Sequence, residues 1–426
     1  MNIIKENLAK NKEVYLIKNK SMKSIIVWFM FYMPLDEKAS ENALISNILL
    51  RGSRKHQSSR EISKFLNAAY GSIIGTDINL KGEVYTLGVH LNYINPNLEF
   101  VEGDITRDML KFLEEVIYHP LEENNKFKEE YFQTEKQNLL MQLKGKGDNK
   151  ESYAFDKTIE VMCEGEAYSI DKLGKISWIE SLTNEKCYQR YKEIIKDAPL
   201  KVYVMGDIEM DSFTSTLKEI FTFNNAKDLE VNINHKEVEK VKEVFEDVDT
   251  NQGKLCMGFR TSIDLNSKEF AALTIVNRLF GGGADSKLFI NLREKESLCY
   301  TIYSTLEKHK GMMFVACGID SSVKNIAKEK IIETLNSIKN GDFTDEHLSI
   351  SIAGMMHSLT SIRDNKYTYI AYLQGLNIYG AKYRLEDLCE SLSKVTRDEV
   401  IKAANTLTLD TVYFLGRGEK NENEKK

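Results

Sequence analysis

At 426 residues, with 42% hydrophobic and 29% charged residues of both signs interspersed, the chain exceeds one ordinary domain and suits two of roughly 200 residues, each with its own core. A formal net charge of −6 without a basic stripe argues against nucleic-acid partners. The six cysteines are widely spaced with no C-x-x-C pair, and the longest apolar stretch, Ile25 to Leu35, is too short to span a bilayer, so a soluble cytoplasmic protein with buried thiols and no membrane partner is expected.

Hydrophobic period predicts, in chain order, an apolar strand over 24–33, helices over 41–50 and 60–69, and a strand over 83–91 whose Tyr85, Leu87, Val89 and Leu91 share one face. A helix over 106–118 closed by Pro120 follows, then a long polar helix from about 126 to 144, a helix starting near Thr183, and a strand over 201–205. The order then repeats. Strand 254–260 is followed by helices 267–280 and 286–295, strand 311–317 and helix 323–339, and the chain closes with a helix from Arg397 behind a capping box of Thr396 and Glu399 and a strand over 411–415.

The run from Ala43 to Gly52 also matches the run from Leu273 to Gly281. Such a parallel implies duplication of one α+β unit. The expected fold class is therefore α+β, with two homologous domains, each a mostly antiparallel sheet with helices packed on one face. The expected boundaries are a first domain over 12–225, a charge-rich linker over 226–252, a second domain over 253–418 and a disordered tail over 419–426.

The run Gly281, Gly282, Gly283 lacks the G-x-x-x-x-G-K-[ST] spacing, because Lys287 follows the last glycine by four, and a nucleotide site is rejected. These glycines are expected to permit positive φ and a tight entry to a helix capped by Asp285 or Ser286. Cys299 has no paired histidine in a motif and reads as a buried strand residue. The glycine run, Arg293 on the following helix and Tyr300 on the following strand, with Val204 to Ile208 closing the first half, resemble the second-domain signature of the insulinase, pitrilysin and mitochondrial processing-peptidase family. The resemblance covers nearly the whole chain.

That family binds zinc with H-x-x-E-H on an early helix, two histidines four residues apart on one face and a glutamate that activates water. The corresponding positions here are Ala43, Ser46 and Asn47, and the place of the family's remaining ligand, a Glu on the next long helix, falls on Gln142. An alanine ligates nothing, a serine is no general base, and an amide is a far weaker ligand than imidazole. The seven histidines contain no pair three, four or five apart, so no metal is expected in this chain.

The resemblance implies a non-catalytic subunit of a heterodimeric zinc metallopeptidase. A homologous active chain would carry the zinc, and this chain would supply half of a clamshell chamber, with Arg293 and Tyr300 hydrogen-bonding the carbonyl and oxyanion of an extended peptide. Purified alone, it would be monomeric or pair with itself. In the family's subunit without zinc a longer glycine-rich loop occupies the place of Gly281 to Gly283, which implies a share in handling substrate. The alternative is a structural or assembly relative, like the family's core subunits of respiratory complexes. There Arg293 would serve the helix macrodipole and Tyr300 would fill a core.

Overall fold

The computed structural model describes residues 3–381 and 384–418, so the expected tail over 419–426 lies outside the described residues. The chain forms two compact units, Met1–Gly145 with Ile170–Glu230, and Lys146–Ser169 with Val231–Lys426.

The first unit runs β1 (Ile3–Ala9), β2 (Lys12–Lys18), β3 (Ser24–Pro34), α1 (Ala39–Ile48), α2 (Ser59–Ala68), β4 (Ile73–Lys81), β5 (Val84–Ile94) and α3 (Ile105–Tyr118). A small hairpin, β6 (Glu122–Glu123) and β7 (Lys126–Phe127), precedes α4 (Glu129–Lys144). The helix expected from 126 starts at Glu129 instead, because Asn124 and Asn125 adopt positive φ (55° and 59°) and turn the chain back on itself in a tight hairpin. The chain then gives α5 (Lys150–Met162) to the second unit and returns with α6 (Ile176–Ser181), α7 (Asn184–Asp197), β8 (Leu200–Gly206) and α8 (Met210–Ile220). Its sheet has the order β1-β2-β8-β3-β5-β4, antiparallel except for the pair β2 and β8. β3 lies centrally, and its continuous run of β-branched and aromatic residues is buried from Ile25 to Met33.

The second unit adds β9 (Lys242–Asp247), β10 (Gly253–Arg260), α9 (Phe270–Phe280), a π-helical turn over Phe289–Lys295, β11 (Cys299–Glu307) and β12 (Met312–Ile319). It continues with α10 (Lys324–Lys339), α11 (Asp345–Ser361), α12 (Lys366–Ile378), α13 (Leu385–Ser393), α14 (Arg397–Asn405) and β13 (Thr408–Gly416). The sheet order is β11-β12-β10-β13-β9, with β13 and β9 parallel. Position for position this repeats β4-β5-β3-β8-β2, down to the single parallel pair at one end. The two units are copies of one design, and β11 is the counterpart of β4.

Two expected boundaries differ. Residues 146–169, placed in the first domain by chain order, pack inside the second unit, where Ala154 of α5 is buried among Cys256, Ala316, Tyr413 and Leu415. α5 covers the side of β10 that carries Gly258 and Arg260, while Phe259 on the other side meets Phe280 of α9 edge-on, with 6.4 Å between ring centroids. Gly258 is needed there, since a Cβ would collide with the Met162 sulfur. The expected linker 226–252 contains β9. Its residues alternate half-buried and exposed, as an edge strand does, and its inward Glu246 accepts hydrogen bonds from the Tyr153 and Tyr413 hydroxyls, so a charged composition conceals a regular strand. Among the described residues no helix is long and apolar enough to cross a membrane.

Candidate functional site

α1 carries three of the four expected zinc positions. Eight of its ten residues are buried, because it packs on β4 and β5 and against α4, α6 and α7, so it lacks a polar face. Ala43 and Ser46 are buried and Asn47 is half-buried, whereas Gln142 of α4 is exposed. Between α1 and α4 the polar contact is a different one. Arg51 donates to the buried carboxylate of Glu135, which also accepts from Asn138 Nδ2 at 3.2 Å.

A methyl, a hydroxyl and two amides do not fit zinc, and Glu135, a buried carboxylate of α4, is engaged by a guanidinium that stays charged. Among the described residues no group of three or more His, Cys, Asp and Glu side chains converges to hold a metal. No chemistry through a metal of this chain follows from these residues.

The Arg and Tyr positions lie on two adjoining elements, the π turn and β11, which pack on each other. The helix expected over 286–295 thus carries Arg293 on a wider coil, with its guanidinium 4.6 Å above the Phe289 ring. The chain leaves that turn through Ser297, at φ 52°, and the Leu298 N–H donates to the Leu292 carbonyl at 2.8 Å. Tyr300 is then the extra residue of a β-bulge, since Cys299 opposes Ile319 and Thr301 opposes Gly318. Arg293 is exposed and Tyr300 is 69% exposed, so neither fills a core.

Gly281, Gly282 and Gly283 do not adopt positive φ, contrary to expectation. Gly281 instead allows close approach: its carbonyl accepts from Ser304 N at 2.9 Å, and a Cβ would collide with that backbone. Arg278 fixes the loop by donating to the Gly282 carbonyl at 2.7 Å and pairing with Asp285 at 2.5 Å, while Ser286 Oγ accepts from Phe289 N at 3.4 Å. Cys299 is buried as expected. Its hydrogen bond with Cys317 holds the thiol below its ordinary pKa against the opposing effect of burial, and the Arg293 charge acts in the same direction.

The family model described as "Peptidase M16 inactive domain" matches residues 181–355. Over 406 residues, 94% of this chain and 95% of the relative, the sequence is 30% identical to a probable inactive metalloprotease, YmfF, of Bacillus subtilis (strain 168). The chain belongs to the M16 peptidase family. Its fold is similar to that of a conserved protein from Enterococcus faecalis V583, with 23% identity, a TM-score of 0.92, and 99% of this chain and 100% of that one covered. It is also similar to a peptidase M16 inactive domain from Pseudomonas fluorescens, with 15% identity, a TM-score of 0.82, and 98% and 99% covered. At these identities the structures speak for the M16 fold. This member is a metallopeptidase homologue whose α1 lacks the zinc-binding pattern.

Sequence reasoning missed two polar groups near these positions. Glu135 of α4 belongs to no motif, and its buried pairing with Arg51 is what marks it. Asp77 on the edge strand β4 was not singled out; burial raises its carboxyl to about 6, although Trp28 Nε1 donates to it at 3.2 Å. No motif marks it, and only its surroundings single it out.

Proposed function

We propose that this chain is the non-catalytic subunit of a two-chain M16 peptidase, in which a homologous partner with an intact H-x-x-E-H motif carries out cleavage and this chain presents Arg293 and Tyr300 to an extended peptide. The observation that carries the reading is the exposure of both side chains on two adjoining backbone irregularities, a π turn and a β-bulge. Such features re-aim side chains and are enriched at functional sites. A phenol retained for packing would be buried, and an arginine retained for the macrodipole needs no π turn.

The chemistry suits the role. The Tyr300 O–H and the Arg293 N–H groups are both donors, and a hydrogen bond to a peptide carbonyl oxygen strengthens as that oxygen gains negative charge. Aligned along an edge strand, a peptide would meet them through its backbone, with little dependence on its side chains.

Mixing tests the assignment. Alone, the chain should contain no stoichiometric zinc and cleave no peptide; with a homologous H-x-x-E-H chain it should co-elute, and the mixture should hydrolyse peptides faster than the homologue alone. One tightly bound zinc per isolated chain, or a mixture that behaves as the sum of its parts, would overturn it.

A further inference from the structure

Cys299 and Cys317 lie on the adjacent strands β11 and β12 of the second unit. Cys317 opposes Ile302, and Cys299, brought onto the same buried side by the bulge at Tyr300, opposes Ile319, so the two cysteines are diagonal neighbours. Their thiols hydrogen-bond each other.

The six cysteines do not share one environment. Burial pushes the thiols of Cys163, Cys187, Cys256 and Cys389 up, and Cys317 is raised by its hydrogen bond to Cys299 and by burial. Cys299 alone is held down, since that hydrogen bond stabilises its thiolate and the Arg293 charge acts in the same direction against burial. It also sits on the edge strand of its sheet, 7% exposed, within reach of a small oxidant. Because the thiolate is the nucleophile, a peroxide meets one reactive cysteine with a second thiol in contact to resolve the product.

We propose that Cys299 and Cys317 form a reversible disulfide on exposure to hydrogen peroxide, and that closing it moves the bulge carrying Tyr300. The Cys299 thiolate attacks one peroxide oxygen, forming an S–O bond and expelling hydroxide, which takes up the proton that Cys299 released. The Cys317 sulfur then attacks the sulfenic sulfur: the S–S bond forms, the S–O bond breaks, and the hydroxyl leaves with the Cys317 proton as water. Two thiols are oxidised and one peroxide is reduced to two waters. A dithiol reductant reverses the step by exchange.

Diagonal neighbours on antiparallel strands stand about 7–8 Å apart between Cα atoms, beyond the roughly 4.4–6.8 Å that a disulfide spans, so closing it takes a backbone movement of about 1 Å. That movement falls on the bulge, where Tyr300 is the unpaired residue and Ser297 turns the chain at φ 52°. On the function proposed above, it takes the Tyr300 hydroxyl away from the peptide.

The isolated full chain tests both halves. Reduced protein treated with excess hydrogen peroxide should become lighter by two hydrogens, with one linked peptide pair, Cys299 to Cys317, and dithiothreitol should restore it. Cys299→Ser should leave Cys317 a thiol, whereas Cys317→Ala should accumulate at Cys299 a sulfenic acid that dimedone traps. In a chain labelled with fluorotyrosine, the fluorine resonance missing from Tyr300→Phe identifies Tyr300, and it should shift on oxidation and return on reduction. No linkage, a linkage elsewhere, an unreacted Cys299 in Cys317→Ala, or an unshifted Tyr300 resonance in the bridged chain overturns the proposal. No partner peptidase takes part, so this proposal and the proposed function fail separately.

Discussion

Asp77 is held in β4 with its carboxyl raised to about 6 by burial, against the opposing hydrogen bonds from Trp28 and Asn79. Because the folded state keeps this proton longer than the unfolded chain, the contribution to stability is complete below the unfolded pKa of about 4 and is lost as pH rises through about 6. Asp77→Asn should therefore remove the fall in urea midpoint that Asp77 contributes between pH 4 and 7 and raise the midpoint at pH 7; an unchanged profile would assign the titration elsewhere. A different residue-scale expectation concerns α1. Ala43→His, Ser46→Glu and Asn47→His together should not produce a peptidase, since Gln142 remains and Ala43 and Ser46 are 1% and 4% exposed. Overpacking should instead lower the melting temperature, at about 1–3 kcal/mol per buried site. Zinc-dependent hydrolysis by that variant would show Gln142 to be wrongly placed. Arg293 and Tyr300 are singled out in the sequence only by their resemblance to a family signature. Glu135 and Asp77 are not singled out, because what distinguishes them is a partner or a burial supplied by another element.

The elements that sequence reasoning recovered are those whose period matches their environment, such as β5 and α14, where the expected capping box of Thr396 and Glu399 is present. α5 and β9 escaped because their packing partners are distant in the chain. What fastens α5 is a buried ionic cluster just beyond its end. Glu166 accepts from Arg260 at 2.7 Å and Lys310 at 2.9 Å, and Arg260 also pairs with Asp410 at 2.7 Å. All four side chains are under a tenth exposed. Neutralising Glu166 takes from two buried cations the carboxylate they share, so Glu166→Gln should destabilise by about 3–5 kcal/mol in chemical denaturation. A change under about 1 kcal/mol would mean that water reaches the cluster.

Across the whole chain, duplication was legible from one repeated segment and the repeated order of elements, and the five strands of the second sheet repeat five of the six in the first, β1 having no counterpart. The assignment of residues 146–169 was not, since their helix-forming pattern does not say which sheet they cover. A protease should cut first in the segment 222–241, which has no helix or strand, and the fragments should stay together on gel filtration because α5, on the N-terminal fragment, is embedded in the second unit. Fragments that separate without denaturant would contradict that placement.

The central claim, that this chain lends a tyrosine and an arginine to a partner's peptidase, is tested most directly by the turnover of the reconstituted pair carrying Tyr300→Phe. The change removes one exposed hydroxyl at a bulge, so assembly and the partner's zinc content should stay as in wild type. Turnover should fall on the order of 100- to 1000-fold, the usual cost of losing one preorganised donor to a developing oxyanion. Wild-type turnover with phenylalanine at position 300 would contradict the account.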